Sequence, residues 1–393
     1  MSVPYVRLAA FYFAYYGALG AFSPYFGPFL QVRGLEPWQI SVVMSLWYAT
    51  RMLAPPFWGA ATAHSRRPIL WLRAGAVATL AGFALFLLPL EFGWIVVVMC
   101  VFSSFYNAIL PQFEALTLAH LSRDTSRYGR IRVWGSIGFV LANLSYGAAL
   151  GMLGYGWLAL LMLPALAGLV LSTWVNSDSQ PDAPLDQANP GFRASVLPLL
   201  HDRVLWVFLG ATILMQIAHG PFYVFFSVYL GENGYSAQSI GAFWAVGVGA
   251  EIAMFLLVPT LLARVSAQRL ILGCFAIGVL RWLVTATLPD SVIALVLAQC
   301  AHAFTFAAFH GATIQTVSQF FPGRSGVHGQ ALLYGVGSGV GGVIGALLAG
   351  GLWQLNGGSA SFLSSAVVSL LGVWLVLRLP LTRPGFVLRR DQI

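Results

Sequence analysis

The chain has 393 residues, of which 59% are hydrophobic and only 8% are charged, and its mean hydropathy is +0.80. This composition excludes a water-soluble globular protein and indicates an integral membrane protein surrounded by lipid. The net charge of +8 comes from arginines that lie mainly in short loops, so it reflects membrane topology, and no nucleic-acid partner is expected.

Twelve apolar stretches, each long enough to cross a bilayer as a helix, follow one another along the chain. They cover 5–30, 37–63, 68–90, 92–118, 130–153, 155–175, 203–230, 236–264, 267–288, 291–320, 327–355 and 358–379. The sequence therefore predicts an all-α, multi-pass membrane protein with twelve transmembrane helices. The first stretch is too long and too aromatic for a cleaved signal peptide, so we interpret it as the first helix.

Arginines are concentrated in alternate loops, on one side of the predicted membrane. These are Arg66, Arg67, Arg123, Arg127, Arg193, Arg264, Arg269, Arg324, Arg383, Arg389 and Arg390. The opposite loops carry little basic charge beyond Arg33. Because arginine-rich loops stay in the cytoplasm, both termini are predicted to be cytoplasmic, in a bacterial-type inner membrane.

A polar segment at 176–195, rich in acidic residues and proline, divides the helices six and six. We therefore expect an N-terminal six-helix bundle over residues 1–175, a cytoplasmic linker over 176–202, and a C-terminal six-helix bundle with a short tail over 203–393.

The two halves match at a constant offset of 200 residues. Leu30, Gly34, Leu35 and Ile40 correspond to Leu230, Gly234, Tyr235 and Ile240, and Tyr128, Gly129, Trp134 and Gly135 to His328, Gly329, Tyr334 and Gly335. Parallel repeats of this kind form two pseudo-symmetric bundles with a substrate site between them near the middle of the membrane. Coincidence among common residues is the alternative interpretation.

Charged residues lie in the middle of several predicted helices, where they normally line a path or a site. Glu114 and Arg132 are at similar depth in one hairpin and can pair, and Glu251 and Arg281 repeat this pattern in the second half. Arg51 corresponds to Glu251 and has no partner in its own hairpin, which leaves an anionic substrate group or a carboxylate of the other half. Static ion pairs, and snorkelling of Arg51, are the alternatives.

Three histidines lie at mid-membrane positions. His219 is on the seventh predicted helix, and His302 and His310 follow a stripe on the tenth. Histidine titrates near physiological pH and can carry a proton, although a lone buried histidine is more often part of the core. Among the aromatic residues, Phe139 and Tyr223 are candidates for stacking on a ring-shaped substrate, against the alternative of simple packing.

No nucleotide-binding GxxxxGK[ST] motif, nucleophile motif or metal-ligand cluster occurs, and Cys100, Cys274 and Cys300 show no metal spacing. We therefore expect no enzyme activity, cofactor or metal, and an ion gradient as the source of energy.

Several segments resemble the major facilitator superfamily, in the branch that contains lactose permease, nucleoside symporters and the 3-phenylpropionate transporter. They are PQFEAL at 111–116, YGRIRVWGSIGF at 128–139, residues 219–252, Arg281 with Trp282, and HAFTFAAFH at 302–310. The resemblance implies the major facilitator fold and a monomer. It also implies that Glu114 and Arg132 bind substrate, because similar residues of lactose permease bind the sugar, and that Phe139 takes the place of its sugar-stacking tryptophan.

The chain departs from the lactose permease pattern in the proton relay. Thr305 stands where that protein has a glutamate, and the lysine of its eleventh helix is absent. Galactoside recognition and that relay are therefore not expected, and Glu251 and His310 are the replacements for proton carriage. The superfamily's loop signature is also altered, with Ala63 where an aspartate is usual.

These observations predict a proton-coupled symporter that imports a small organic solute, with an aromatic carboxylate favoured. Arg51 or Arg132 would hold the carboxylate, and Glu251 with His302 or His310 would carry the proton. One alternative is a proton-coupled efflux antiporter for hydrophobic drugs or organic cations, and another is a nontransporting membrane receptor or scaffold.

Overall fold

The computed structural model describes residues 4–63, 65, 67–121, 127–177, 192–378 and 380, and over these residues it is built from membrane-length helices. These are α1 (Tyr5–Val32), α2 (Pro37–Thr62), α3 (Pro68–Ala84), α4 (Phe92–Leu121), α5 (Tyr128–Leu153), α6 (Leu158–Trp174), α7 (Arg203–Ala218 and Gly220–Glu232), α8 (Ala237–Arg264), α9 (Ala267–Thr287), α10 (Val292–Ala303 continuing to Phe309–Phe320), and α11 with α12 (Gly326–Arg378). Most of the predicted linker and the arginine-containing tail lie outside the described residues, so the domain boundaries stay predictions.

Nine stretches of the described residues are long and apolar enough to span a membrane. One of them, Gly326–Arg378, contains both α11 and α12, because the backbone at Gly357 (φ 77°, ψ 178°) interrupts the helix. Helices α1 and α2 have the required length, but they are rich in tyrosine, tryptophan and proline, which lower the hydropathy. Together these helices make the twelve that the sequence predicts.

The internal repeat appears in the turns that follow α1 and α7. Gly34 (φ 84°) and Gly234 (φ 85°) both adopt the left-handed conformation that glycine accommodates without steric cost. The amide of the next residue donates to the carbonyl five residues back in each turn, from Leu35 to Leu30 at 3.2 Å and from Tyr235 to the equivalent carbonyl at 3.0 Å. This is the same helix-ending motif at the same offset, as a duplicated bundle requires.

The two bundles touch closely on the side of these turns, opposite the arginine-rich loops. The contacts pair Gly27 with Val224, Gly147 with Ala237 and Gly350 with Pro37, and in each a methyl group built on the glycine would lie 2.8 Å from the partner's carbonyl oxygen. On the same side, Gln31 Nε2 donates to Glu232 Oε1 across the interface at 3.2 Å. Backbones therefore approach here through residues that lack a side chain.

The buried apolar side chains form two clusters. The larger one runs through the N-terminal bundle and continues into the C-terminal bundle near the touching glycines, through residues such as Phe222 and Trp353. The second belongs to the C-terminal bundle alone and lies toward the arginine-rich side, around Phe208, Phe275 and Phe309. The apolar core is thus shared at one end only. We call the region between the bundles at the other end, toward the arginine-rich loops, the vestibule.

Candidate functional site: a polar vestibule between two bundles

Glu114 and Arg132 lie at the N-terminal wall of the vestibule, both partly exposed. They interact electrostatically, but the direct ion pair expected from the sequence is not formed. Instead Tyr128 donates a hydrogen bond to Glu114 Oε1 at 3.3 Å, and the guanidinium of Arg132 stacks on the ring of Tyr16 at 3.8 Å. Gly135 makes room for this stack, since a methyl group there would lie 2.8 Å from Arg132 Nη1. Both charged groups are left accessible to a ligand.

Arg51 is exposed in the middle of α2. It lies within electrostatic range of Glu114 in its own bundle and of His310 and Tyr334 in the other. Met52, the next residue, packs against Gly339 of the C-terminal bundle, so Arg51 lies near the boundary between the bundles.

Glu251 forms a close hydrogen-bonded contact with His302 and not with Arg281, which corrects the sequence prediction. The distance from His302 Nε2 to Glu251 Oε1 is 2.8 Å, and the two side chains are 4% and 15% exposed. The π-helical turn Phe304–Ala308 follows His302 directly. Such insertions occur often at functional sites, where they re-aim side chains. The pair joins α8 to α10 at the edge of the vestibule.

Arg281 is buried, 2% exposed, and is held by hydrogen bonds rather than by a carboxylate. Its Nε donates to the carbonyl of Ala298 at 3.1 Å and its Nη1 to Thr305 Oγ1 at 3.0 Å. The guanidinium also lies 4.5 Å from the ring centre of Phe222 and 4.0 Å from that of Trp282. These contacts hold the positive charge of Arg281 in the core, near the Glu251–His302 pair.

His219 orients this arginine, and its hydrogen bonds define its tautomer. Its Nδ1 lies 2.8 Å from the carbonyl of Met215, which only accepts, so Nδ1 carries the proton. Its Nε2 is then free to accept from Arg281 Nη1 at 3.3 Å. The chain turns at His219 before the second segment of α7 begins, because Pro221 suits the first turn of a helix. His219 is therefore a neutral acceptor beside the arginine, not a group that faces the vestibule.

The remaining predicted residues are spread around the vestibule. Tyr223 stacks on His219 with 5.7 Å between ring centres and interacts electrostatically with Glu251 and Arg51. Phe139 lies two turns from Arg132 on α5 and is partly buried against the core. His310 is separate from the Glu251 pair and contacts the rings of Phe255 and Tyr334 instead.

Two residues of this polar region, Thr305 and Tyr334, were not singled out as site residues from the sequence. Thr305 was noted only as a departure from a family pattern, yet it hydrogen-bonds both Arg281 and His219. Tyr334 was noted only in the repeat, yet it is 42% exposed and within electrostatic range of Arg51 and other charges of the N-terminal bundle. It lies on a second π-helical segment, Leu333–Val340, whose three glycines and one serine were a signal for irregular backbone.

The sequence profile of the MFS_1 like family matches residues 5–364, which is most of the chain. The chain belongs to the MFS_1 like family. It is therefore a membrane transporter of the major facilitator superfamily, as the sequence predicted, and the all-helical twelve-span fold is confirmed. The relatives and structural neighbours of this MFS_1 like chain are transporters, in agreement with the expectation that it is not an enzyme.

Two curated relatives match the MFS_1 like chain over most of its length. The probable 3-phenylpropionic acid transporter of Escherichia coli is 29% identical over 314 residues, 79% of this chain and 81% of the relative. The maltose permease of Geobacillus stearothermophilus is 29% identical over 386 residues, which cover 94% of this chain and 93% of the relative. Both are relatives by sequence, with substrates of different chemistry in their names.

Solved structures match the fold. The nucleoside transporter NupG superposes with a TM-score of 0.83 at 17% identity, covering 96% of this chain and 98% of NupG. A bacterial homologue of the human lysosomal transporter Spinster superposes with a TM-score of 0.76 at 14% identity, covering 96% of this chain and 97% of the homologue. At these identities the likeness concerns the fold alone.

Proposed function

We propose that the chain is a proton-coupled symporter that imports a small aromatic carboxylate. The observation that carries the proposal is the 2.8 Å contact between Glu251 and His302, two titratable groups on facing helices beside the vestibule. It supplies a titratable unit, and the arginines around it supply the charge that an organic anion needs.

The charges of the vestibule favour an anion. Arg51, Arg132 and Arg281 face two carboxylates, Glu114 and Glu251, so the described mid-membrane groups carry one excess positive charge when the histidines are neutral. Arg51 and Arg132 are the accessible cations, whereas Arg281 is committed to the Thr305 and Ala298 oxygens. A substrate carboxylate bound by Arg51 or Arg132 would balance this excess. The name of the 3-phenylpropionic acid relative supports the same substrate class.

Coupling would operate through the Glu251 pair. A proton delivered to Glu251 neutralises its carboxylate, which changes its contact with His302 and removes its attraction to the nearby Arg281. Tyr223 is partly exposed and stacks on His219, the acceptor beside Arg281, so in this proposal it connects the proton site to a substrate in the vestibule. Protonation and substrate binding would then bias the same rearrangement of the bundles.

Location and direction follow from the arginine distribution. The arginine-rich loops would lie in the cytoplasm of an inner membrane, with both termini inside, and the vestibule would open inward. The described conformation would be the one that releases an imported solute.

The test is uptake of radiolabelled 3-phenylpropionate into proteoliposomes. An outside pH below the inside pH should drive accumulation, because the proton moves in the same direction as the anion. Glu251→Gln should abolish this accumulation and retain exchange of internal for external substrate. Glu91→Gln, which changes an exposed loop carboxylate, is the matched control and should behave as wild type. Uptake that ignores the pH step would refute the proposal.

Two other activities are distinguished by further assays, one in the same proteoliposomes and one in cells. Maltose uptake is the second candidate, favoured by the relative that covers 94% of the chain. It predicts that maltose, and no aryl acid, competes with the transported solute. Efflux of an organic cation predicts that dye accumulation in cells falls when the protein is present, whereas an importer of acids should leave it unchanged.

A further inference from the structure

A continuous series of aromatic rings extends from the Glu251 pair along the C-terminal wall of the vestibule. His302 stacks on Phe306 at 5.5 Å, and Phe306 meets Phe255 edge to face at 6.5 Å. Phe255 meets His310 at 6.2 Å, and His310 lies 6.1 Å from Tyr334. Three helices, α8, α10 and α11, therefore present rings to one another in a single row. We call Phe255, Phe306 and Tyr334 the aryl wall.

The aryl wall faces the N-terminal bundle. Phe255 follows Ala237 by 18 residues, which is about five full turns at roughly 100° per residue, so both side chains leave α8 on the same side. That side contacts the N-terminal bundle, since a methyl group built on Gly241, one turn after Ala237, would lie 3.0 Å from the carbonyl oxygen of Asn143. Phe255, Phe306 and Tyr334 are 43%, 40% and 42% exposed, although each contacts other rings. The position of Phe255 and its ring contacts to α10 and α11 are the basis for assigning these accessible faces to the vestibule.

The cations of the site stand across from these rings. Met52, the neighbour of Arg51 on α2, packs against Gly339 of the same α11 segment that carries Tyr334, since a methyl group on Gly339 would lie 2.8 Å from Met52 Cβ. One wall of the vestibule thus presents the rings, and the other presents Arg51 and Arg132 beside Glu114. An apolar ring joined to a carboxylate by a short chain is complementary to both walls at once, whereas a neutral sugar could stack on the rings but would leave the arginines without a counter-charge.

We infer that the aryl wall is the subsite for the ring of the substrate, with the carboxylate directed to Arg51 and Arg132. The inference rests on the proposed function and deepens it by assigning the ring to residues other than Phe139 and Tyr223. Tyr223 already stacks on His219, so one of its faces is occupied within the protein. The aryl wall keeps its faces accessible.

The test compares two acids of similar size, 3-phenylpropionate and 3-cyclohexylpropionate, as competitors of radiolabelled 3-phenylpropionate exchange. Phe255→Leu and Phe306→Leu keep apolar bulk and remove the ring. Each should lower the preference for the phenyl over the cyclohexyl acid by about 3- to 10-fold, the range for one aromatic pair. Tyr334→Leu should do the same, and it provides the test at a third helix if one phenylalanine variant fails to fold.

Phe57→Leu is the matched control. Phe57 is 74% exposed and lies five residues after Met52, about 140° around α2 from the side that contacts Gly339 of α11. This variant should keep the wild-type preference.

The outcomes separate the two claims. Wild-type protein that exchanges no aryl acid would overturn the proposed function and the aryl wall with it. Wild-type protein that couples 3-phenylpropionate to protons, combined with folded aryl-wall variants that keep the full phenyl preference, would overturn the aryl wall alone. A loss of preference in Phe139→Leu or Tyr223→Leu, but in none of the aryl-wall variants, would place the ring elsewhere.

Discussion

Thr305→Val tests whether hydrogen bonds, rather than an ion pair, hold the buried charge of Arg281. Valine has almost the same shape as threonine but cannot accept the bond that Arg281 Nη1 donates at 3.0 Å. The guanidinium is 2% exposed, so water does not easily replace the lost partner. A hydrogen bond to a charged group contributes about 1.5–3 kcal/mol to stability. The folded-to-unfolded ratio should therefore fall by about 10- to 150-fold.

The assay is equilibrium unfolding of purified protein in detergent micelles. Thr79→Val is the matched control, because Thr79 is fully buried and its hydroxyl bonds only to the carbonyl of Gly75 in its own helix, at 2.8 Å. That carbonyl also accepts within the helix, so the control should lose about 1 kcal/mol or less. If Thr305→Val is no less stable than Thr79→Val, the account of Arg281 is wrong.

Two further changes concern glycines at contacts. Gly147→Val should prevent the two bundles from closing on the touching side, because even a methyl group would lie 2.8 Å from the carbonyl oxygen of Ala237. The assay is maleimide labelling of Gln238→Cys in a protein whose native cysteines have been replaced. The labelling rate should rise when Gly147→Val is added. Gly151 lies one turn away, and a methyl group built on it would have its nearest atom at 4.0 Å, so Gly151→Val should leave the labelling rate unchanged. Equal labelling rates in Gly147→Val and Gly151→Val would contradict the prediction. Gly135→Ala should push Arg132 off Tyr16 and raise the KM for 3-phenylpropionate severalfold, whereas Gly129→Ala, which has open space, should not. An unaltered KM in Gly135→Ala would count against Arg132 as a carboxylate ligand.

The fold was predictable because hydropathy and the offset of 200 are properties of the sequence itself. Twelve spans, their approximate limits and the paired turns at Gly34 and Gly234 all appear in the structure. The first two helices show the limit of hydropathy alone, since their tyrosines and prolines hide apolar helices of full length. Their assignment depended on length and on the repeat.

The site was predictable as a set of residues but not as a set of contacts. Depth along a helix is given by counting residues, which placed Glu251, Arg281 and His302 at one level. Which side chains meet depends on helix rotation and on competing partners, and here Glu251 contacts His302 while Ala298 and Thr305 accept from Arg281. The pairing of Glu251 with Arg281 was therefore wrong, and the pairing of Glu114 with Arg132 is replaced by contacts to tyrosines.

Glycine against carbonyl oxygen, as at Gly27, Gly147 and Gly350, has a mechanical consequence. Interlocked side chains must change rotamer before two helices can part, which adds barriers along the way. Where a glycine meets a backbone carbonyl, no rotamer has to change before the helices part, whereas the shared core around Phe222 and Trp353 must repack. The glycine contacts thus reduce the number of side chains that have to move when this face opens.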